Sequence, residues 1–112
     1  MTGPLDDLRV IDLSATQAGS VATMVLADFG ADVIKVEPPE GDPTRDHAAA
    51  PMWLRGKRSV ALDLTSDDGR AHLHTLVAGA DVVMSTYVPG TAAEQGADYE
   101  TLSALNQALV YC

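Results

Sequence analysis

Cysteine is almost absent from this chain of 112 residues: Cys112, the last, is the only one. No internal disulfide can form, and a reducing compartment, the cytoplasm, is the expectation. Positive charge is scarce as well. Seven Lys and Arg stand against sixteen Asp and Glu, for a formal net charge of −9 and a pI near 4.4. That balance repels phosphate backbones and anionic lipid, and argues against nucleic-acid and membrane-surface partners. No apolar run approaches the ~20 residues that span a bilayer. The start, residues 1–7, has neither the basic region nor the apolar stretch of a signal peptide.

Several chemical signatures are missing too. Without G-x-G-x-x-G or G-x-x-x-x-G-K-[ST], a dinucleotide site or a P-loop has no support, and without G-x-S-x-G there is no nucleophile elbow. His72 and His74 stand two apart on an expected helix and point to different faces, and His47 has no ligand pattern around it, so no metal is expected. Spacing nominates no acid/base pair among the carboxylates.

What is present is 46% apolar residues in a length suited to one domain. A folded chain of this size hides roughly 65% of the surface it exposes unfolded, enough for a core without staples. Runs rich in Val, Ile and Leu recur at Val10–Leu13, Val33–Val36, Val60–Leu64, Val82–Met84 and Leu109–Tyr111. The chain between them is too long for hairpins and suits helical crossovers between parallel strands. Ser20–Phe29 repeats apolar residues at Val21, Val25 and Phe29 and stops at Gly30. A second helix is expected from Thr65 or Ser66 to Ala78, opening on hydroxyls and acids, and a third from Asp98 to Asn106. The expectation is an α/β fold: a Rossmann-like, open, mostly parallel sheet with helices on both faces.

In such sheets ligands gather at the carboxyl ends of the strands. The loop after the first strand runs into a helix at Gly19 and Ser20, which serves either as an anion-binding helix start or as an ordinary cap. Glu37–Lys57 is long, rich in Pro and Gly and without helical periodicity, and is the first functional suspect. Four of the seven cations, Arg45, Arg55, Lys57 and Arg58, fall there or just beyond it beside a single acid, Asp46. They either hold a compact phosphate group or pair with nearby acids. The one tryptophan, Trp53, either anchors this loop to the core or meets another chain.

Ordered blocks carry a resemblance. They are Pro4–Leu13, Ala27–Pro39, Gly41-Asp42-Pro43-Thr44-Arg45, Gly56–Leu64, Ala80-Asp81-Val82-Val83, Pro89-Gly90-Thr91 and Leu105-Asn106 to Tyr111. Together they closely resemble the N-terminal region of family III CoA-transferases, the CaiB/BaiF group, which includes formyl-CoA and carnitine CoA-transferases and the related α-methylacyl-CoA racemases. The resemblance implies that residues 1–112 are the Rossmann-like CoA-binding region of a longer polypeptide, two copies of which interlock as a dimer. It implies CoA and acyl-CoA as substrates, carboxylic acids as partners in exchange, and an aspartyl-CoA intermediate whose aspartate lies beyond Cys112. The chain end then reads as a truncation, and the chain alone as catalytically incomplete.

Position by position, the resemblance implies that Gln17 and Ala18 sit at the thioester end of CoA. Leu62, Asp63, Leu64 and Thr65 would line the loop after the third strand, and Thr86, Tyr87 and Val88 the loop after the fourth. Gln17 would support catalysis through an amide that hydrogen-bonds developing charge. Its alternative role is to stabilise the turn.

The family pattern is not kept throughout. Leu54 and Thr86 stand where asparagine or a similar residue is usual, Glu94 where arginine is usual, and Pro38 where formyl-CoA transferases have arginine. Pro is common there in other members, and the changes at Leu54, Thr86 and Glu94 motivate a second reading, a non-catalytic copy of the domain with a packing role. The side chain at Gln17 favours transfer over the third reading, racemisation.

Overall fold

The computed structural model describes residues 3–112; Met1 and Thr2, part of the start tested above for a signal peptide, lie outside the described residues. Strands β1 (Arg9–Leu13), β2 (Asp32–Glu37), β3 (Lys57–Ala61), β4 (Val82–Ser85) and β5 (Val110–Tyr111) pair in parallel throughout, in the order β3-β2-β1-β4-β5. The connections carry helices α1 (Gln17–Asp28), α2 (Ala50–Trp53), α3 (Asp67–Ala78), α4 (Pro89–Glu94) and α5 (Tyr99–Leu105). This is the open parallel α/β sheet expected from the strand spacing. The order reverses at β1, which lies between β2 and β4.

Strand alternation gives the sheet two unlike faces. Ile11, Leu13, Ile34, Val36 and Val83 share a core with Leu73 and Val77 of α3 and Leu102 of α5. On the other face, Val10 and Val33 meet Leu26 and Ala27 of α1. Further along that second face the buried positions are charged: Asp12 and Lys35, which face each other in register, are both fully buried.

Four expectations are corrected. Helix α1 starts at Gln17, not Ser20, because the Thr16 side chain caps the Gly19 N–H and organises the first turn earlier. Strand β3 ends at Ala61, and after the Leu62 N–H donates to Glu37 O the chain turns at Asp63 and leaves the sheet. The segment after Glu37 is ordered into a short 3₁₀ turn at Pro43–Asp46 and helix α2. Within it Trp53 is buried at 3% exposure with its ring 4.7 Å from that of His47, so it anchors the segment to the body of the protein. Helix α4, not expected at all, begins at Pro89.

Candidate functional site

A cleft of about 310 Å³ opens at the carboxyl ends of the strands. Its floor is apolar, with Val36, Leu62 and Leu64; Pro38, Pro39 and Pro43 form one wall, and Tyr87 and Gln95 the wall across from β4 and α4. The loop from Asp63 to Thr65 is held rigidly. The Asp63 carboxylate accepts from the Thr65 N–H and hydroxyl at 3.0 and 2.5 Å, which holds its pKa below the usual carboxylate value. Helix α3 packs so closely here that a Cβ on Gly69 would come within 1.8 Å of Asp63 O.

Beneath the cleft lies a buried ionic network. Lys35 Nζ donates to Ser14 O at 2.9 Å and meets Asp42 Oδ2 at 2.7 Å, with both side chains shut off from solvent. Lys57 Nζ meets Asp12 Oδ2 at 3.0 Å and donates to Ser20 O. Asp12 also accepts from Thr23 Oγ1 at 2.7 Å and Ser14 Oγ at 2.5 Å. Each buried charge therefore has an opposite partner and further hydrogen bonds, the condition for tolerating it. Burial pushes Lys57 below the ordinary lysine value against the pull of Asp12. For Asp42, burial opposes ionisation, but Lys35 and Thr44 outweigh it and its pKa is lowered.

Glu37 closes the network at the cleft. Arg45 grips both carboxylate oxygens at 2.5 and 2.6 Å, while the Asp42 N–H and the Ser59 hydroxyl also donate to it. Its pKa falls to about 2, first through Arg45, with Ser59 and the Asp42 N–H adding to the effect against the cost of burial.

The cations suspected of holding phosphate are engaged elsewhere. Arg45 pairs with Glu37, Arg55 with Asp28, Lys57 with Asp12 and Arg58 with Asp32. The remaining three, Arg9, Lys35 and Arg70, also have carboxylate partners. Of the two readings of that cluster, pairing with nearby acids is the one the structure displays.

Of the residues singled out from the sequence, Leu62, Asp63, Leu64, Thr65 and Tyr87 come together on the cleft wall. Gln17 and Ala18 are exposed on the first turn of α1 and do not line it. Thr86 Oγ1 accepts the Ala15 N–H at 2.9 Å, which ties the β4 loop to the β1 loop, and Val88 is 66% exposed. All of them nevertheless lie at the carboxyl side of the sheet. A Cβ on Gly19 would meet Ser14 Cβ at 2.3 Å and Thr86 Cγ2 at 2.9 Å, so α1 fills the space between the β1 and β4 tips. The cleft therefore forms on the β2–β3 side and reaches across to α4. Burial of the phenol raises the Tyr87 pKa, with Asp42 and Asp12 adding to the effect.

Sequence reasoning missed Gln95 and the buried Asp12 and Lys35, whereas Ser14 opens the loop singled out after the first strand, Glu37 and Asp42 lie in the suspected Glu37–Lys57 segment, and Lys57 was among the suspected cations. Asp12, Lys35 and Glu37 did leave a signal, as the polar positions in otherwise apolar strands. Gln95 left none. Among the described residues no group of three or more His, Cys, Asp or Glu is placed to hold a metal ion, and no helix is long and apolar enough to cross a membrane.

Comparison with known proteins places this geometry. The chain is 43% identical to succinyl-CoA--D-citramalate CoA-transferase of Chloroflexus aurantiacus, over 96% of this chain and 29% of that protein. It is 42% identical to succinate--glutarate CoA-transferase of Agrobacterium fabrum, over 97% of this chain and 31% of that protein. A crystal structure of a CAIB/BAIF family protein from Brucella suis superposes with a TM-score of 0.92 and 41% identity, covering all of this chain and 33% of that one. The chain thus spans about 30% of the length of the curated relatives it matches. The family model described as CoA-transferase family III matches residues 5–112, and the chain belongs to that family.

Proposed function

We propose that this chain is the CoA-binding region of an enzyme that moves CoA between carboxylic acids. The observation that carries the reading is the cleft: Leu62, Asp63, Leu64, Thr65 and Tyr87 converge at the strand tips, where open parallel sheets hold ligands. Its apolar floor and proline wall suit the neutral parts of the carrier. Gln17 and Ala18, on the exposed first turn of α1, face the thioester end. Transfer proceeds through an aspartyl-CoA thioester, and the aspartate is supplied by polypeptide outside these residues. The enzyme acts in the cytoplasm as an interlocked homodimer, and the names of the relatives, all CoA-transferases, favour transfer over racemisation.

The test is thermal denaturation of the intact protein with increasing CoA. A ligand bound to the native state adds about 2.7 kcal/mol at a hundredfold excess over Kd. A rising midpoint supports the reading, and none at millimolar CoA refutes it.

One observation favours a second reading, a copy of the domain kept for packing. All seven Lys and Arg are already paired with carboxylates, and Glu94 stands on α4. Among the described residues no Lys or Arg side chain is thus left unpaired for a diphosphate. On this reading the midpoint in the same titration does not move.

A further inference from the structure

Among the described residues only two buried side-chain atoms lack a hydrogen-bond partner, Ser20 Oγ and Gln95 Oε1. Ser20 lies within α1, away from any opening, but Gln95 stands on the cleft wall. Its backbone is pinned from three sides. The Gln95 N–H closes α4 on Thr91 O, His74 of α3 bonds Gly96 O at 2.8 Å, and the Tyr111 hydroxyl donates to Ala97 O at 2.9 Å. Gly96 makes the following turn at φ +64°, a conformation that favours glycine. The side chain is therefore held beside the cleft by contacts that do not depend on its own amide.

Several other polar groups on the wall are already used. Glu37 is saturated by Arg45, Ser59 and the Asp42 N–H; Asp42 is taken by Lys35 and Thr44, Asp63 by Thr65, and Ser14 by Asp12. A buried amide oxygen without a donor is destabilising, and a group so placed is one that a bound molecule can satisfy. An amide oxygen accepts, so its partner must bring an N–H or an O–H. Ionised phosphate and carboxylate groups bring neither. CoA carries such donors at the adenine amino group, at its ribose hydroxyl and along its pantetheine arm.

We infer that Gln95 is a ligand-reading residue of the cleft, turning its amide oxygen to accept a hydrogen bond from an N–H or O–H of the bound carrier. This rests on the cleft being the CoA site. It assigns specificity to the turn after α4.

The experiment compares the intact protein with Gln95→Met, which keeps the length and removes the acceptor. Two quantities are read: the thermal midpoint without ligand, and the affinity by calorimetry for CoA, for pantetheine and for adenosine 3′,5′-bisphosphate. The expected result is an unchanged or raised midpoint with CoA binding weakened about tenfold, the order of one neutral hydrogen bond. The weakening should also appear in whichever half carries the donor and not in the other. Equal affinity of the two proteins for CoA overturns the inference and leaves the CoA reading standing. A lowered midpoint with equal weakening of both halves also overturns it, because Gln95 is then packing. Absence of CoA binding in the unsubstituted protein overturns both.

Discussion

Lys35 illustrates what single side chains do in this molecule. It sits mid-strand on β2 with no exposed side-chain surface, and its ammonium is divided between Asp42 and the carbonyl of Ser14. One bond holds the segment after β2 and the other holds the loop after β1, so a single residue ties two walls of the cleft. Lys35→Met removes the cation and leaves Asp42 buried without its partner. The expected cost is about 3–5 kcal/mol in chemical denaturation, and a loss under 1 kcal/mol would show that the pair is not needed. Glu37 acts through pH. Its folded pKa of about 2 lies below the ordinary 4.5, so its contribution is complete above pH 4.5 and disappears as pH falls towards 2. That amounts to stability on the order of 3 kcal/mol at neutral pH. Glu37→Gln should lower stability at pH 7 and flatten its decline between pH 4.5 and 2. An unchanged acid limb would count against this role.

These buried charges were visible in the sequence only as polar interruptions in apolar strands. Asp12 and Lys35 could be seen as facing one side of a sheet through strand alternation. Their partners could not, because Lys57 and Asp42 arrive from segments whose path depends on tertiary packing. The same reason explains the cluster of Arg45, Arg55, Lys57 and Arg58, whose proximity in sequence dissolved into four separate ion pairs with acids as far away as Asp12.

The elements were legible where periodicity and caps coincide and illegible where a short segment depends on its neighbours. Helix α3 opens on Ser66, whose hydroxyl caps the Gly69 N–H at 3.0 Å, and continues through apolar Leu73 and Val77, as its sequence announces. Helix α4 has six residues, no side-chain cap and a Pro-Gly start, and forms because the chain must turn from β4 towards α5. The Asp63–Thr65 turn owes its position to α3. Gly69→Ala would place a methyl against Asp63 O, so we expect a destabilisation of about 1–3 kcal/mol from overpacking. Because Asp63 and Thr65 line the cleft, CoA affinity should fall with it. Melting and titration of the same variant check both, and an undiminished affinity would separate the turn from the site.

For the molecule as a unit, the parallel sheet places the loops that line the cleft at one end, where α1 fills the space between the β1 and β4 tips and the cleft forms on the β2–β3 side. The proposed division of labour has a direct consequence. Residues 1–112 alone, given an acyl-CoA and a carboxylate acceptor, should show no exchange of CoA by mass spectrometry. Turnover by this chain would mean that the reacting carboxylate lies within it.

The order of residues was enough to fix the five strands, the long helices and the fold class, because alternation, caps and crossover lengths are local properties that survive in one dimension; the family was carried by the resemblance of ordered blocks of residues, and the short helices α2 and α4 were not legible. Which carboxylate each cation would reach, that Trp53 would be buried, and that Gln95 would stand unpaired beside Leu62 and Tyr87 were settled only when the sheet brought distant segments within a few ångströms. Those are differences between competing contacts, and such competition has no counterpart along the chain.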